Sequence, residues 1–169
     1  AGPEVVYDDD HYYVGGIIAQ MLAQAGLSVT LVTPGPEVSH WTRYTMEQPR
    51  IEALLRRLGV HLEVNHKLTG VFPGRVVAIS NLTTDVQSID AVSVVLVTAR
   101  DPANTLYFEM AGIEEERREE LPFTLERIGD CLAPATIAAA VYHGHRYARE
   151  LDLDIDRDGV PFRREYAVI

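Results

Sequence analysis

The amino-acid sequence predicts an α/β fold of three layers, in which a central parallel sheet carries helices on one face and a small antiparallel sheet on the other. Three observations indicate this class. The N-terminal residues follow a strand, helix and strand pattern. Two later extended runs flank Pro73-Gly74, as in a β-hairpin. The segment Ala91–Thr98 is nearly continuous in β-branched residues, which is typical of a parallel strand buried on both faces.

The first βαβ unit occupies the N-terminal segment. Val5–Tyr7 is an apolar strand, Ile17–Ala25 has the spacing of an amphipathic helix, and Val29–Val32 is a second buried strand. This order is that of Rossmann-type, FAD/NAD(P)-binding-like domains, in which the turn after the first strand holds a diphosphate. We therefore expect the scaffold of such a domain.

The next elements complete the helical layer and the parallel sheet. After the turn Thr33–Pro36, a helical pattern runs from Ser39 to Leu58, and Pro49 is expected to begin a fresh first turn or to kink it. Gly59 suits the left-handed position that ends a helix. Val60–Val64 is predicted to be the third parallel strand.

A hairpin and a second buried strand follow. Lys67–Phe72 and Arg75–Ser80 are the predicted hairpin strands. Ala91–Thr98 is placed at the centre of the parallel sheet, because a strand with apolar residues on both faces needs cover on both sides.

The C-terminal third is more polar. The charge run Glu114–Glu120 is typical of a solvated helix face or a loop. Thr124–Ile128 is predicted to be a short strand that leads into Gly129-Asp130, and Pro134–Leu151 to be a long helix. The end, Asp152–Ile169, is expected to be irregular.

Composition excludes several classes of function. The chain has 169 residues, a net charge of −10 and Lys67 as its only lysine, so it has no basic stripe for nucleic acid. No apolar run approaches the roughly 20 residues that cross a bilayer. The lone Cys131 excludes an internal disulfide, an iron–sulfur cluster and a thiolate zinc site within these residues, and it fits a reducing cytoplasm. The opening Ala1-Gly2-Pro3 suggests a piece of a longer polypeptide.

The turn between the first strand and the first helix carries acid where a dinucleotide site needs glycine. Asp8 and Asp10 stand at the first two glycine positions of G-x-G-x-x-G, and glycine returns only at Gly15 and Gly16, roughly two residues late. At about 5 Å from a diphosphate, each like-charge pair costs roughly 3 kcal/mol at an effective dielectric of about 20. A helix N-terminus returns at most about 2 kcal/mol.

This acidic turn admits three readings. It could bind a metal ion, although the EF-hand spacing and glycine are missing. It could bind a nucleotide if an ion or a proton offset the repulsion. In the third reading the carboxylates cap the helix and occupy the former anion position themselves. The acid that binds the NAD ribose at the end of the second strand is also missing, because Thr33-Pro34 stands there.

The remaining candidate residues are few. The six histidines form no metal-ligand spacing, and we predict no catalytic residue and no metal site in the chain. Gly129 and Asp130 are the candidate cofactor-binding residues, because a carboxylate between a strand and a helix can accept a hydrogen bond from a ribose or ribityl hydroxyl. The alternative is that Asp130 is a turn or helix-capping residue.

Taken together, the motifs resemble the C-terminal part of the trimethylamine dehydrogenase-like flavoproteins, a group within the NADH:flavin oxidoreductase family that includes dimethylamine and histamine dehydrogenases. The resemblance covers nearly the whole chain. It rests on Tyr7–Tyr13, Val29–Pro34, Trp41-Thr42 with Thr45–Glu47, Ile128–Asp130 with Ala133-Pro134, Gly144–Arg146 with Ala148–Glu150, and Pro161–Glu165.

The resemblance implies a layout for a longer parent. Such proteins begin with a barrel that carries FMN, continue with a [4Fe-4S] site, and end in two nested domains, of which the outer can hold ADP. On this basis residues 1–122 are an inner NAD(P)-binding-like domain with a degenerate phosphate loop. Residues 123–169 are the returning segment of the outer FAD/ADP-binding-like domain, in which Asp130 would lie near the nucleotide.

The resemblance also implies a function. The parent would oxidatively demethylate or deaminate a small amine and pass electrons to an electron-transferring flavoprotein, while this part supplies no cofactor and no catalytic residue. The alternative is a functional NAD(P)H-binding domain of a 2,4-dienoyl-CoA reductase-like enzyme. A third reading is a stand-alone interaction protein.

We further expect this chain to pack against the rest of its own polypeptide. Taken alone, it is expected to hide an apolar stripe of its last helix by folding the helix back or by forming a homodimer. The residues of that stripe are Ile137, Ala140, Val141, Tyr147, Ala148 and Leu151.

Overall fold

The computed structural model describes residues 2–117, 123–151 and 153, and for 113–117 it describes the backbone alone. The chain divides into two compact units, one ending at Ala99 and the other starting at Arg100. The domain boundary expected after residue 122 concerns the layout of a longer parent, and it stays a prediction.

The first unit alternates strands and helices and then continues with strands alone. A short 3₁₀ turn, His40–Arg43, precedes its second helix. The elements are β1 (Glu4–Asp8), α1 (Val14–Gln24), β2 (Val29–Val32), α2 (Gln48–Arg57), β3 (His61–Glu63), β4 (His66–Phe72), β5 (Arg75–Ser80), β6 (Val86–Asp90) and β7 (Ser93–Val97).

The strands form two sheets. The parallel sheet has the order β3-β2-β1-β7, with Val6 of β1 opposite Leu31 on one side and Val95 on the other. The antiparallel sheet has the order β4-β5-β6. Strand β6 was not predicted, because Gln87, Ser88 and Asp90 are poor strand formers and only pairing with β5 defines it.

The two faces of β1 pack against different layers. Val6 packs with Ala19 of α1 and Leu55 of α2 in one core cluster. Its neighbours along the strand, Val5 and Tyr7, join a second cluster that contains residues of β5. Because successive side chains of a strand point to opposite faces, this partition confirms the three-layer architecture.

The position predicted for the Ala91–Thr98 strand was wrong. In the described residues β7 pairs only with β1, so it lies at an edge of the parallel sheet. Its Leu96 side chain is 56% exposed. The apolar run correctly indicated a strand, but tertiary contacts decide which strands pair with it and where it lies in the sheet.

Local signals set several helix boundaries in the first unit. The helix predicted over Ser39–Leu58 was wrong in its first part, which forms only the 3₁₀ turn, and α2 begins at Gln48. Pro49 lies in the first turn of α2, one of its two expected roles, and Gly59 has a φ of +78° just after that helix. Helix α1 begins at Val14, three residues before the expected Ile17. Gly15 and Gly16 therefore belong to its first turn and not to the preceding loop.

The second unit contains two helices, α3 (Thr105–Arg117) and α4 (Ile137–Glu150), and a 3₁₀ turn, Gly129–Cys131. Helix α4 starts later than the expected Pro134. The Thr136 hydroxyl accepts a hydrogen bond from the amide of Ala139 at 3.4 Å and caps this start. No residue of α4 is buried within the described chain.

The segments on either side of the undescribed residues differ from a regular α/β continuation. The predicted strand Thr124–Ile128 is wrong, because no described strand pairs with it, and an extended segment without ladder hydrogen bonds is not a strand. The charge run begins in α3, and its remainder lies outside the described residues, as does Pro161–Glu165. None of the helices that the structure describes is long and apolar enough to span a bilayer.

Candidate functional site

The candidate site is the turn between β1 and α1, where a Rossmann-type domain would bind a diphosphate. Asp8, the last residue of β1, is fully buried. Its carboxylate Oδ1 accepts hydrogen bonds from the backbone amides of Asp10 and His11, each at 3.2 Å. The amide of Asp9 donates to the carbonyl of Val97 at 2.8 Å. Three consecutive amides of the turn are therefore engaged within the protein.

The glycines of α1 leave space for the Asp8 carboxyl. A Cβ atom added to Gly15 would lie 2.5 Å from Cγ of Asp8 and 2.7 Å from its Oδ2. A Cβ on Gly16 would lie 3.1 Å from the Ser39 hydroxyl oxygen. The acid thus lies directly against the first turn of the helix, at the place expected for an anion.

The expectation that the carboxylates of this turn cap α1 was wrong. The N-cap of α1 is Tyr13, and no side chain accepts a hydrogen bond there. The reason is that the turn is longer than a glycine turn, so the Asp8 carboxylate reaches the amides of the loop before it reaches those of the helix.

Asp8 is electrostatically unusual. Its Oδ2 is buried and has no hydrogen-bond partner in the part of the chain that the structure describes. Burial raises the pKa of Asp8, and the amides of His11 and Asp10 offset only part of that effect. The acid nearest to the former anion position therefore favours the neutral form more than an ordinary aspartate does.

We expect Asp8→Asn to stabilise the chain at neutral pH, with an advantage that shrinks as the pH falls. Because the folded-state pKa of Asp8 is raised above its unfolded value, the folded state loses stability as the pH rises from the unfolded value toward the folded one. Asparagine keeps the acceptor oxygen without the charge. Urea unfolding across pH 3–8 tests this, with the exposed Asp90→Asn as control. A difference from the unmodified chain that does not change with pH would contradict it.

A histidine of the turn after β1 contacts the residue that follows β2. Thr33 is fully buried, and its hydroxyl accepts from the amide of Gly35 at 3.2 Å. The same hydroxyl lies 3.3 Å from Nδ1 of His11, whose Nε2 lies 3.4 Å from the Asp9 carboxylate. The sequence indicated only that a ribose-binding acid is missing at Thr33. It offered the loop insertion at His11-Tyr12 as the alternative to charge in closing the site, but it did not indicate the contact between His11 and Thr33.

Glu37, the first acidic residue after β2, forms ion pairs with nearby side chains. Glu37 pairs with the Arg43 guanidinium, with one N–O distance of 2.7 Å, and with Nδ1 of His40 at 2.9 Å. The Arg43 hydrogen bond holds the pKa of Glu37 below its usual range. Glu37 was also not recognised from the sequence, because its partners follow within six residues and form only once the 3₁₀ turn is in place.

The second predicted site, Gly129 and Asp130, lies in the other unit. Gly129 is buried with a φ of +60°, a conformation that favours glycine. Asp130 is exposed, and its Oδ1 accepts from the amide of Ala135 at 3.3 Å, before α4 begins. Within the described residues Asp130 therefore serves as a turn residue, and its role in binding a cofactor stays a prediction.

A pocket of about 240 Å³ lies beside α4 in this unit, and Arg127, His143 and Tyr147 are among its lining residues. Nδ1 of His143 is buried without a hydrogen-bond partner among the described residues. The described part of the chain contains no group of three histidine, cysteine or acidic residues that could hold a metal ion.

Comparisons with known proteins relate the whole chain to amine-oxidising enzymes. No family model matches the sequence. Dimethylamine dehydrogenase of Hyphomicrobium sp. (strain x) is 27% identical over 179 residues, a match that covers 95% of this chain and 24% of the dehydrogenase.

Two solved structures agree with this relation. Histamine dehydrogenase from Rhizobium sp. 4-9 matches 100% of the chain with a TM-score of 0.87 and 40% identity. 6-Hydroxypseudooxynicotine amine oxidase from Pseudomonas geniculata N1 matches 86% of it with a TM-score of 0.77 and 32% identity. The chain covers 24% and 21% of these proteins, so it spans about a quarter of their length. These matches confirm the resemblance that the sequence motifs indicated.

Proposed function

From the homology of this chain to the trimethylamine dehydrogenase-like flavoproteins, we propose that it is the C-terminal, non-catalytic, nucleotide-binding-like part of an FMN and [4Fe-4S] amine dehydrogenase. In such a parent, a barrel outside this chain would oxidatively demethylate or deaminate a small amine. The electrons would pass to an electron-transferring flavoprotein. The observation that carries the non-catalytic role is the buried Asp8 carboxylate at the first turn of α1.

The hydrogen bonds of the turn support the loss of nucleotide binding. A diphosphate is held by free backbone amides of the glycine turn and by the helix N-terminus. Here the amides of Asp9, Asp10 and His11 are already engaged by acceptors of the protein itself. A diphosphate would have to displace Asp8 to reach two of them, and displacement would leave a second anion beside the first.

Charge supports the same conclusion. Each carboxylate of the turn that is ionised about 5 Å from a phosphate costs roughly 3 kcal/mol at an effective dielectric of about 20. The helix N-terminus offsets at most about 2 kcal/mol. The scaffold of the domain is therefore retained for its packing, and its role in the parent is structural.

The cofactors of the proposed parent would lie mostly outside this chain. Cys131 alone cannot hold a [4Fe-4S] cluster, which needs four ligands. ADP, which would be held as a structural ligand, is the cofactor that Gly129 and Asp130 would contact, together with residues of the outer domain that are not in this chain. The positive φ of Gly129 permits a tight turn there, and the Asp130 carboxylate would accept a hydrogen bond from a ribose hydroxyl.

Apolar side chains exposed on and just after α4 indicate where a partner would bind. Ile137 is 85% exposed, Val141 54% and Leu151 61%. Contiguous apolar surface of this kind usually contacts a partner. In the parent, the ADP domain of the same polypeptide would cover it. In the isolated chain, a second copy could do so and form a homodimer. We place the parent in the cytoplasm.

Nucleotide titration tests the proposal. We expect calorimetry with NADH and with NADPH to give no dissociation constant below about 100 μM, which corresponds to more than about 5 kcal/mol of affinity. The alternative function, an NAD(P)H-binding domain of a 2,4-dienoyl-CoA reductase-like enzyme, requires tighter binding. ADP is expected to leave the melting temperature unchanged, because the glycine-rich loop of the outer domain that would hold its phosphates is not among these residues, and a ligand that does not bind gives no stabilisation. Binding of either dinucleotide by the unmodified chain would refute the proposal.

A further inference from the structure

The imidazole of His11 connects the two ends of the former dinucleotide site. His11 belongs to the turn after β1, where the diphosphate would lie, and its Nδ1 is 3.3 Å from the hydroxyl of Thr33, just after β2. Its other ring nitrogen lies 3.4 Å from the Asp9 carboxylate. In a Rossmann-type domain a dinucleotide runs between these two places, with its ribose at the end of the second strand.

The backbone around His11 is built to hold the ring there. His11 has a φ of +60°, which is costly for a residue with a side chain. Its carbonyl accepts from the amide of Trp41 at 2.9 Å, which fixes the turn to the segment that follows β2. A Cβ on Gly35 would lie only 3.1 Å from Nδ1 of His11, so the glycine leaves room for the ring.

We propose that His11 is a built-in plug, which closes the former dinucleotide site sterically and independently of the acidic charge beside it. This inference rests on the proposed function, and it names the element that keeps the site closed. Asp8 engages the amides of the turn, whereas the His11 ring fills the path between the diphosphate and ribose positions. Removing the acids alone therefore leaves the path blocked.

The test compares variants of the full chain with NADH as the probe. Asp8→Gly with Asp10→Gly removes the charge, His11→Gly removes the plug, and a triple variant removes both. Glycine suits the positive φ of residue 11. We expect the unmodified chain, the double variant and His11→Gly to give no measurable heat, and the triple variant to bind at least tenfold more tightly than the double variant.

Two results would overturn the proposal: equal affinity of the double and triple variants, or no binding by a folded triple variant. Circular dichroism and thermal unfolding establish folding. If the triple variant does not fold, Thr33→Val in the double variant replaces it, because valine keeps the shape and removes the hydroxyl beside Nδ1 of His11. A gain in NADH affinity then supports the plug, and no gain refutes it. Failure of the proposed function is recognised separately, by NADH binding to the unmodified chain.

Discussion

Replacing Leu31 by alanine is expected to lower the free energy of unfolding by about 2–5 kcal/mol. Leu31 is fully buried in β2, an inner strand of the parallel sheet, and packs in the cluster that joins the sheet to α1 and α2. Alanine removes apolar contacts and leaves a cavity. The cavity stays open because β2 is hydrogen-bonded to a strand on each side and cannot shift to fill it. Urea unfolding followed by circular dichroism measures the change.

The chain offers a matched control for this substitution. Leu82 is 74% exposed, so Leu82→Ala makes the same chemical change without creating a cavity. Its effect should stay within about 0.5 kcal/mol. A loss below about 1 kcal/mol for Leu31→Ala would show that the core around β2 is not closely packed, and it would contradict the three-layer packing described above.

Gly15→Ala is expected to destabilise the chain by about 1–3 kcal/mol, although alanine is the better helix former by about 1 kcal/mol. The added methyl group would lie 2.5–2.7 Å from the side chain of Asp8, which is fully buried. Gly16→Ala is the control in the same turn, because its nearest contact, at 3.1 Å, is a serine hydroxyl. Thermal and urea unfolding should rank the two variants in that order.

A double-mutant cycle separates the clash from a general intolerance of alanine. In the background of Asp8→Gly, the methyl group of Gly15→Ala meets empty space, so its cost should fall to near zero or reverse sign. If the two costs simply add, Asp8 does not lie against the first turn of α1, and the account of the site given above is wrong.

The domain keeps the strand–turn–helix order of a nucleotide-binding domain, but the backbone amides of the turn after β1 donate to acceptors of the protein itself. A glycine turn presents free amides to a ligand, but here Asp8 accepts from two of them and lies in the space that glycine normally keeps open. The same residues that exclude an anion therefore hold the turn together and bond it to the end of β7, so substitutions in this turn should affect stability more than activity.

Much of the fold could be predicted from local sequence. Periodicity located β1 and β2, and Gly59 marked the end of α2 because its backbone preference is intrinsic. Pro49 indicated a fresh first turn inside a helix predicted from Ser39, and α2 does begin there, at Gln48. Asp8 and Asp10 could be recognised as a departure from the glycine motif by spacing alone. These features depend on neighbours along the chain, so no knowledge of tertiary contacts was needed.

Tertiary contacts decided the rest. Strand β6 exists because β5 pairs with it. Within the described residues, β7 lies at an edge because it pairs with β1 alone, and Thr124–Ile128 is no strand because no described strand pairs with it. The burial of Asp8 and the contact of His11 with Thr33 join residues from different elements, and no spacing reveals them. The sequence alone therefore established that the anion site was altered. How it is closed depends on which side chains meet across β1 and β2, because sterics and desolvation act between residues that only folding brings together.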